Sequence, residues 1–333
     1  MTRIAVDAMG GDRGPETVVA GAALAAKPGV EFTFVGDERV LSPIVTRYDF
    51  PKAAIIHAPT VIGDDESPVM AIRRKKDSSL VQAVNLVASG EAEVVLSAGN
   101  TGAFMAASYM LIRTINGIER PALAPALPSR KAGELFVLLD AGANMDADAT
   151  DLSHYGMMGS LYAERMLNLK HPRVALLNVG KEPNKGGKVV QEAYAMLKDT
   201  QQNFVGNIEA RDIFSGLADV VICDGFVGNA VLKACEGLAE TMFAMIKDTL
   251  GSGIKNKLGA ALVKSDFKKL RKRLDYTEYG GAPLLGINGI CVKSHGNSDI
   301  NAIKSGIQIA INLADSHLVD AIENNLKARE VVI

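Results

Sequence analysis

The strongest constraint in this 333-residue chain is an alternation of short, continuously apolar runs with longer segments of helical periodicity. Arg3–Ala8, Glu31–Val35, Ala54–Ala58, Glu93–Ser97, Leu135–Asp140, Val174–Asn178 and Val220–Cys223 read as strands. Thr17–Ala26, Ser79–Ser89, Thr101–Arg113, Leu152–Leu167, Val189–Leu197 and Val227–Leu250 read as helices. Apolar runs that do not alternate with polar residues belong to strands buried on both faces, the habit of parallel sheets. The pattern therefore predicts a three-layer α-β-α fold, with a doubly wound, mostly parallel sheet between helices. No fixed repeat, low-complexity tract or Pro/Ser-rich linker divides the chain, so residues 1–333 read as one composite domain.

Composition narrows the function classes. The chain has 32 glycines, no Trp and 5% aromatic residues, which suits many tight strand-to-helix turns better than a base-stacking module. Thirty-six basic against 38 acidic residues give a net charge of −2, which argues against a chain-wide nucleic-acid binder. The three cysteines form no CxxC pair, and no window reaches about 18 consecutive apolar residues. The start, MTRIAVDAMGGD, reads as a first strand and not as a secretory signal. A cytoplasmic location is expected.

Five strands finish alike, with a polar residue, glycine and a further polar group: Val6–Asp12, Leu96–Ala103, Leu138–Asn144, Leu176–Glu182 and Cys223–Asn229. In a parallel sheet all five lie at the carboxyl edge, beside helix N-termini with unpaired amides. Glycine admits a ligand close to the backbone, and Asn, Asp and Ser add short directed polar groups. The five together describe a cleft for a small anion or phosphorylated group. Any single turn can equally use Gly and Asn only to close itself.

Known chemical motifs are missing. No GxGxxG follows the first strand, and Gly180–Lys188, GKEPNKGGK, fails the P-loop pattern because Val189 replaces the Ser/Thr. Lys185, followed by Gly186 and Gly187, either points its ammonium at phosphate or stays solvated in its loop. No GxSxG elbow is present, and Cys223, Cys235 and Cys291 lie in apolar surroundings typical of inert thiols. Five scattered histidines offer no metal-ligand spacing, so neither metal nor cofactor is expected. His295, within Lys293–Asp299 (KSHGNSD), is either structural or part of a polar site. Leu284 and Leu285 of Tyr279–Gly286 either line an apolar channel or belong to a simple turn.

Gly251–Leu274 stands apart, with eight basic residues against Asp266, while the whole chain carries −2; the remainder is therefore at −9. Its apolar residues recur at helical spacing. This is either a solvated helical hairpin or a basic amphipathic segment that meets anionic lipid or an acidic partner.

At these turns the chain resembles the bacterial phosphate acyltransferases of phospholipid synthesis. The resemblance rests on Val6–Asp12, Ser97–Ala103, Asp140–Asn144, Asn178–Gly186, Gly206–Glu209, Asp224–Asn229, Tyr279–Gly286 and His295–Asp299. Arg13 departs from the family pattern, where a His or similar residue is expected.

The resemblance implies transfer of a long-chain acyl group from acyl carrier protein to inorganic phosphate. It also implies a fold similar to isopropylmalate dehydrogenase and phosphate acetyltransferase, a homodimer, and peripheral attachment to an anionic membrane surface. A helical arm over residues 230–278 would carry dimerisation and an amphipathic tip with Ile254, Leu258 and Leu262. The downstream glycerol-3-phosphate acyltransferase is a further implied partner.

In this setting Lys185 and Asn229 would hold phosphate, Asp224 would orient one of them, and His295 would protonate the leaving thiolate. Substrate contacts are expected from Asp7, Gly10 and Gly11, from Asn100, Thr101 and Gly102, and from Asn144, Gly186, Gly228 and Ser298. Rival readings are a phosphate acetyl- or butyryltransferase using acyl-CoA, a β-decarboxylating dehydrogenase, and a non-catalytic membrane scaffold.

Overall fold

The computed structural model describes residues 1–200, 203–274 and 281–330. The chain begins β1 (Thr2–Asp7), α1 (Gly14–Ala25), β2 (Val30–Gly36), α2 (Glu38–Val45), β3 (Ala53–His57), α3 (Pro68–Arg74), α4 (Ser79–Ala88), β4 (Val94–Ser97) and α5 (Thr101–Ala107). A π-helical turn at Ser108–Ile112 then leads to β5 (Ala122–Leu123), β6 (Ala126–Pro128), β7 (Leu135–Leu139), α6 (Ala149–Met166), β8 (Val174–Asn178), α7 (Lys188–Asp199) and β9 (Phe204–Glu209). The rest is β10 (Val220–Ile222), α8 (Gly225–Gly251), α9 (Gly253–Leu274), β11 (Ala282–Leu285), β12 (Ile290–Lys293), α10 (Ile300–Ser316) and α11 (Leu318–Glu330). All seven strands read from the apolar runs are present.

The strands form two sheets, ordered β3-β2-β1-β4-β12-β11-β5 and β6-β7-β10-β8-β9. Pairing is parallel from β3 through β12 in the first and from β7 through β9 in the second. Antiparallel strands occur where the sheets meet, because β5 closes one edge and β6 the other. Residues 122–128 thus cross from sheet to sheet, with Ala141 N–H on the Leu123 carbonyl and Leu138 N–H on the Pro125 carbonyl.

The apolar runs do not alternate because each strand serves two cores. Ile4 and Val6 join one helix layer and Ala5 the opposite one; Val94 and Leu96 likewise oppose Val95. In the second sheet Val137 and Leu139 oppose Phe136 and Leu138.

Helices start where the turns supply a cap. Asn100, Asp224 and Asp299 accept from Ala103, Val227 and Ala302 N–H at 2.8, 3.0 and 2.9 Å. Asp148 and Asp151 form a reciprocal capping box on α6. Part of the polar signal at the strand ends is therefore helix initiation.

Candidate active site

A cavity of about 500 Å³ opens between the two carboxyl edges. Thr101 and Gly102 of the β4–α5 turn and Lys293 to Gly296 after β12 form one wall. Asn229, Leu232, Lys233 and Glu236, which share one face of α8, form another. Met105, Leu123, Pro125 and Ala126 make an apolar side. A concave site with a few convergent polar groups and an apolar flank suits a small ligand with one charged end.

Beside this cavity three strand ends lie in one register row: Asp7 opposite Ser97, and Ser97 opposite Lys293. Side chains at matched positions of parallel neighbours point to the same face of a sheet. The Ser97 hydroxyl donates to Asp7 Oδ2 at 2.6 Å, and its oxygen accepts from Gly99 N–H at 3.0 Å. Asp7 Oδ1 is buried and takes no hydrogen bond of normal geometry.

Burial pushes the Asp7 carboxyl up, against the hydrogen bond from Ser97. Burial pushes Lys293 down to about 8, opposed by the charges of Asp7, Asp64 and Asp12. The Lys293 ammonium donates to the Ser294 carbonyl. His295 is lowered by burial and then by Lys233, so its ring is neutral near pH 7. Its Nδ1 accepts from Asn297 N–H at 3.1 Å, which leaves the proton on Nε2.

The second sheet builds its edge differently. Asp140 Oδ1 accepts from Leu123, Gly142 and Ala143 N–H at 2.9, 3.0 and 2.9 Å, and Oδ2 from Asn144 N–H at 2.6 Å. Burial raises this carboxyl to about 6 even though these four amides pull it down. A second cavity, about 570 Å³ and mostly apolar, lies beyond α8 and takes Asp224, Val227 and Val231 from that helix. The two cavities thus face opposite sides of the first turns of α8.

The structure brings Thr101, Gly102, Asn229, His295 and Ser298 together in the first cavity. The other expected contacts lie elsewhere. Asp7 is only 1% exposed and sits beneath Gly10 and Gly99, so it does not reach the cavity; a carboxylate there would also repel phosphate. Gly10 and Gly11 serve packing: a Cβ on Gly10 would stand 2.6 Å from Gly99 N, and Gly11 adopts φ +96°.

Asn100 spends its side chain on the α5 cap and on the carbonyls of Gly63 and Asp64. Asn144 donates to the Pro121 carbonyl and to Tyr155 Oη. At Gly228 a Cβ would lie 1.8 Å from the Asp140 carbonyl oxygen, so this glycine lets α8 touch β7 and not a ligand.

Asp224 caps α8 and lines the second cavity, as does Gly186. Lys185 is exposed and lines neither cavity; its carbonyl accepts from Asn178 Nδ2 at 3.1 Å. Lys185 and Asp224 are therefore not joined to Asn229 and His295, because α8 stands between.

Sequence reasoning missed Lys293, Ser294 and Lys233. The available signal was a Lys ending the apolar run of β12, matched by Asp7 ending β1 and Ser97 ending β4.

Leu284 and Leu285 are buried in β11, where the adjoining space is only about 20 Å³, so they line no acyl-sized channel. Tyr279 and Gly280 lie outside the described residues. The thiols are all raised by burial, Cys291 to about 12, which leaves no thiolate nucleophile among them.

In the long hairpin, Leu238, Met242 and Met245 of α8 are 61, 52 and 64% exposed, and Leu262 of α9 is 84% exposed. Ile254 and Leu258 fall on α9, but their side chains lie outside the described residues. Among the described residues no helix is long and apolar enough to cross a membrane.

Residues 2–320 match the family model described as "Fatty acid synthesis protein". A phosphate acyltransferase of Clostridium botulinum (strain Loch Maree / Type A3) is 46% identical over 327 residues, covering 97% of each chain. One from Thermoanaerobacter pseudethanolicus is 44% identical over 328 residues, covering 98% of each.

Among solved structures, a phosphotransacetylase from Streptococcus pyogenes superposes with a TM-score of 0.62 at 17% identity, covering 94% of each chain. A branched-chain phosphotransacylase from Enterococcus faecalis V583 gives 0.59 at 16% identity, covering 95% of this chain and 100% of that one. These two likenesses show the fold, which is the expected one. The near full-length identities of 44 to 46% settle the rest: this chain is an acyl-transferring enzyme of the phosphate acyltransferase family.

Proposed function

We propose that this enzyme moves a long-chain acyl group from acyl carrier protein to inorganic phosphate, giving acyl phosphate for phosphatidic acid synthesis. The observation that carries this reading is the composition of the first cavity. Lys233, Lys293 and Ser298, set among the carboxylates of Asp12, Asp64 and Glu236, share it with an apolar flank of Met105, Leu123 and Pro125. One end suits a phosphate and the other a thioester with its alkyl chain.

Direct attack accounts for the chemistry. A phosphate oxygen forms a bond to the thioester carbonyl carbon, and the C–S bond breaks to release thiolate. The enzyme's main task is then orientation and stabilisation of the oxyanion, a contribution of about 3 kcal/mol per donor. Asn229 and the Nε2–H of His295 are donors on the cavity wall. A neutral His295 fits hydrogen-bond donation better than full protonation of a thiolate, which leaves readily without help.

The α8–α9 hairpin supports the remaining assignments: a homodimer and a peripheral contact of the cytoplasmic enzyme with anionic lipid, within reach of a glycerol-3-phosphate acyltransferase. The arm in this reading is residues 230–278 of a single composite domain, of which 275–278 lie outside the described residues. Leu238, Met242 and Met245 recur at helical spacing on α8, as a self-association stripe would. The exposed Leu262 stands among the lysines of α9, and each basic residue near an anionic surface contributes about 1 kcal/mol. Leu262→Glu should weaken flotation with anionic vesicles and leave thermal stability unchanged.

The deciding assay supplies purified protein with phosphate and either acyl carrier protein or coenzyme A thioesters, and measures acyl phosphate. Phosphate-dependent turnover preferring the carrier protein is expected. A preference for coenzyme A would move the enzyme to the acetyl- or butyryltransferase type. No phosphate dependence would end the reading.

A further inference from the structure

Asp7, Ser97 and Lys293 form a polar row at the ends of three adjacent parallel strands, and they are 1, 0 and 6% exposed. A lysine this buried is uncommon unless paired. Yet among the described residues Lys293 closes no ion pair within 4 Å, and its one described hydrogen bond goes to the Ser294 carbonyl. Its ammonium has two further protons to place.

Beside it, the Ser294 hydroxyl is buried and finds no hydrogen-bond partner among the described residues. Both residues line the first cavity. Two buried donors left incomplete at a cavity wall call for an acceptor that arrives from the cavity. An anionic oxygen satisfies both.

Resting on the phosphate reading above, we propose that Lys293, with the Ser294 hydroxyl, grips the phosphate acceptor. Asp7, held by Ser97, is the positioning residue that keeps the ammonium at the wall. Asp64 and Asp12 also face this cavity, as do Lys233, Glu236 and His295, so the phosphate enters a mixed field in which Lys293 is the buried cation. The acidic neighbours keep the ammonium charged against the cost of its burial.

The test uses inorganic phosphate alone, without acyl donor, on the full chain. Phosphate affinity is measured by titration calorimetry for wild type, Lys293→Met, Lys293→Arg, Ser294→Ala and Asp7→Asn. We expect at least a tenfold loss in Lys293→Met with partial rescue in Lys293→Arg, and a several-fold loss in Ser294→Ala. Asp7→Asn should raise the KM for phosphate more than it lowers kcat, which a purely structural role would not do.

A folded Lys293→Met protein with wild-type phosphate affinity overturns the proposal. Should that variant not fold, Ser294→Ala decides, because removing an unbonded hydroxyl leaves stability intact; unchanged affinity there overturns it equally. Failure of the acyl-transfer assay with phosphate binding still lost in Lys293→Met would spare this assignment. Normal acyl transfer with unaltered phosphate binding would sink this one alone.

Discussion

Each sheet ends in a buried aspartate beneath a glycine, and the two are completed in opposite ways. Asp140 is surrounded by backbone: four amides point at its carboxylate, and it ties Leu123 to residues 142–144. Asp7 takes a short bond from the Ser97 hydroxyl, with the Ser79 hydroxyl and the Met9 and Gly10 amides beside it, while a buried ammonium stands in the same register row. Amides cannot move or change charge, so Asp140 belongs to the scaffold. A row whose buried ammonium closes no ion pair among the described residues leaves charge and hydrogen-bond capacity for a ligand. The same residue type at the same edge thus separates architecture from chemistry by what surrounds it.

The sharpest way to break this contrast is through the glycines. Gly228→Ala would place a Cβ 1.8 Å from the Asp140 carbonyl, and Gly10→Ala would place one 2.7 Å from Asp7 Oδ2. The first should cost more than about 4 kcal/mol and the second less, because α8 cannot leave β7 without opening the core. Urea unfolding of both checks the order.

Next in size, Asp140→Ala strands buried amides and should cost about 4 kcal/mol. Asp7→Asn, which keeps shape and loses one bond, should cost about 1 kcal/mol. Equal losses in urea midpoint would erase the distinction.

Stability against pH separates the pair again. Asp140 is held at about 6, above its unfolded value of 3.8, so the folded state binds its proton first and loses stability as pH rises from about 4 to 6. The change is about 3 kcal/mol and should vanish in Asp140→Ala. Lys293 is held at about 8, below 10.5, so the unfolded chain binds more protons above pH 8. Wild type should therefore gain stability towards about pH 10 relative to Lys293→Met. Parallel profiles of the two proteins would show that Lys293 is not buried as described.

The last contrast concerns Asn229, the first of the side chains that α8 lends to the cavity. Asn229→Ala should slow acyl transfer at least tenfold, about 1.4 kcal/mol in the barrier, with folding intact. Wild-type turnover would leave the chemistry entirely to the first edge.

Much of the molecule was legible because its signals are local. A strand buried on both faces must be apolar throughout, so Ile4–Val6, Val94–Leu96 and Val220–Ile222 declared themselves. Asn100 and Asp224 stand just before predicted helices, yet both read as site residues, because a cap and an anion site cannot be told apart along the chain. Gly10 and Gly228 carried a similar ambiguity: close backbone approach was right, and the thing approached was another strand end and not a substrate.

By itself the sequence determined seven of the twelve described strands, six of the helices, the glycine turns at one edge and the family, since each rests on neighbours along the chain. Only the tertiary structure decided the split into two sheets, the placing of α8 between two cavities and the isolation of Lys185 from Asn229. It alone set Lys293 beside Ser97, 196 positions away along the chain, and Ser97 beside Asp7, 90 positions away. Pairing across such distances depends on which edges bury the most apolar surface together, and no local pattern records that choice.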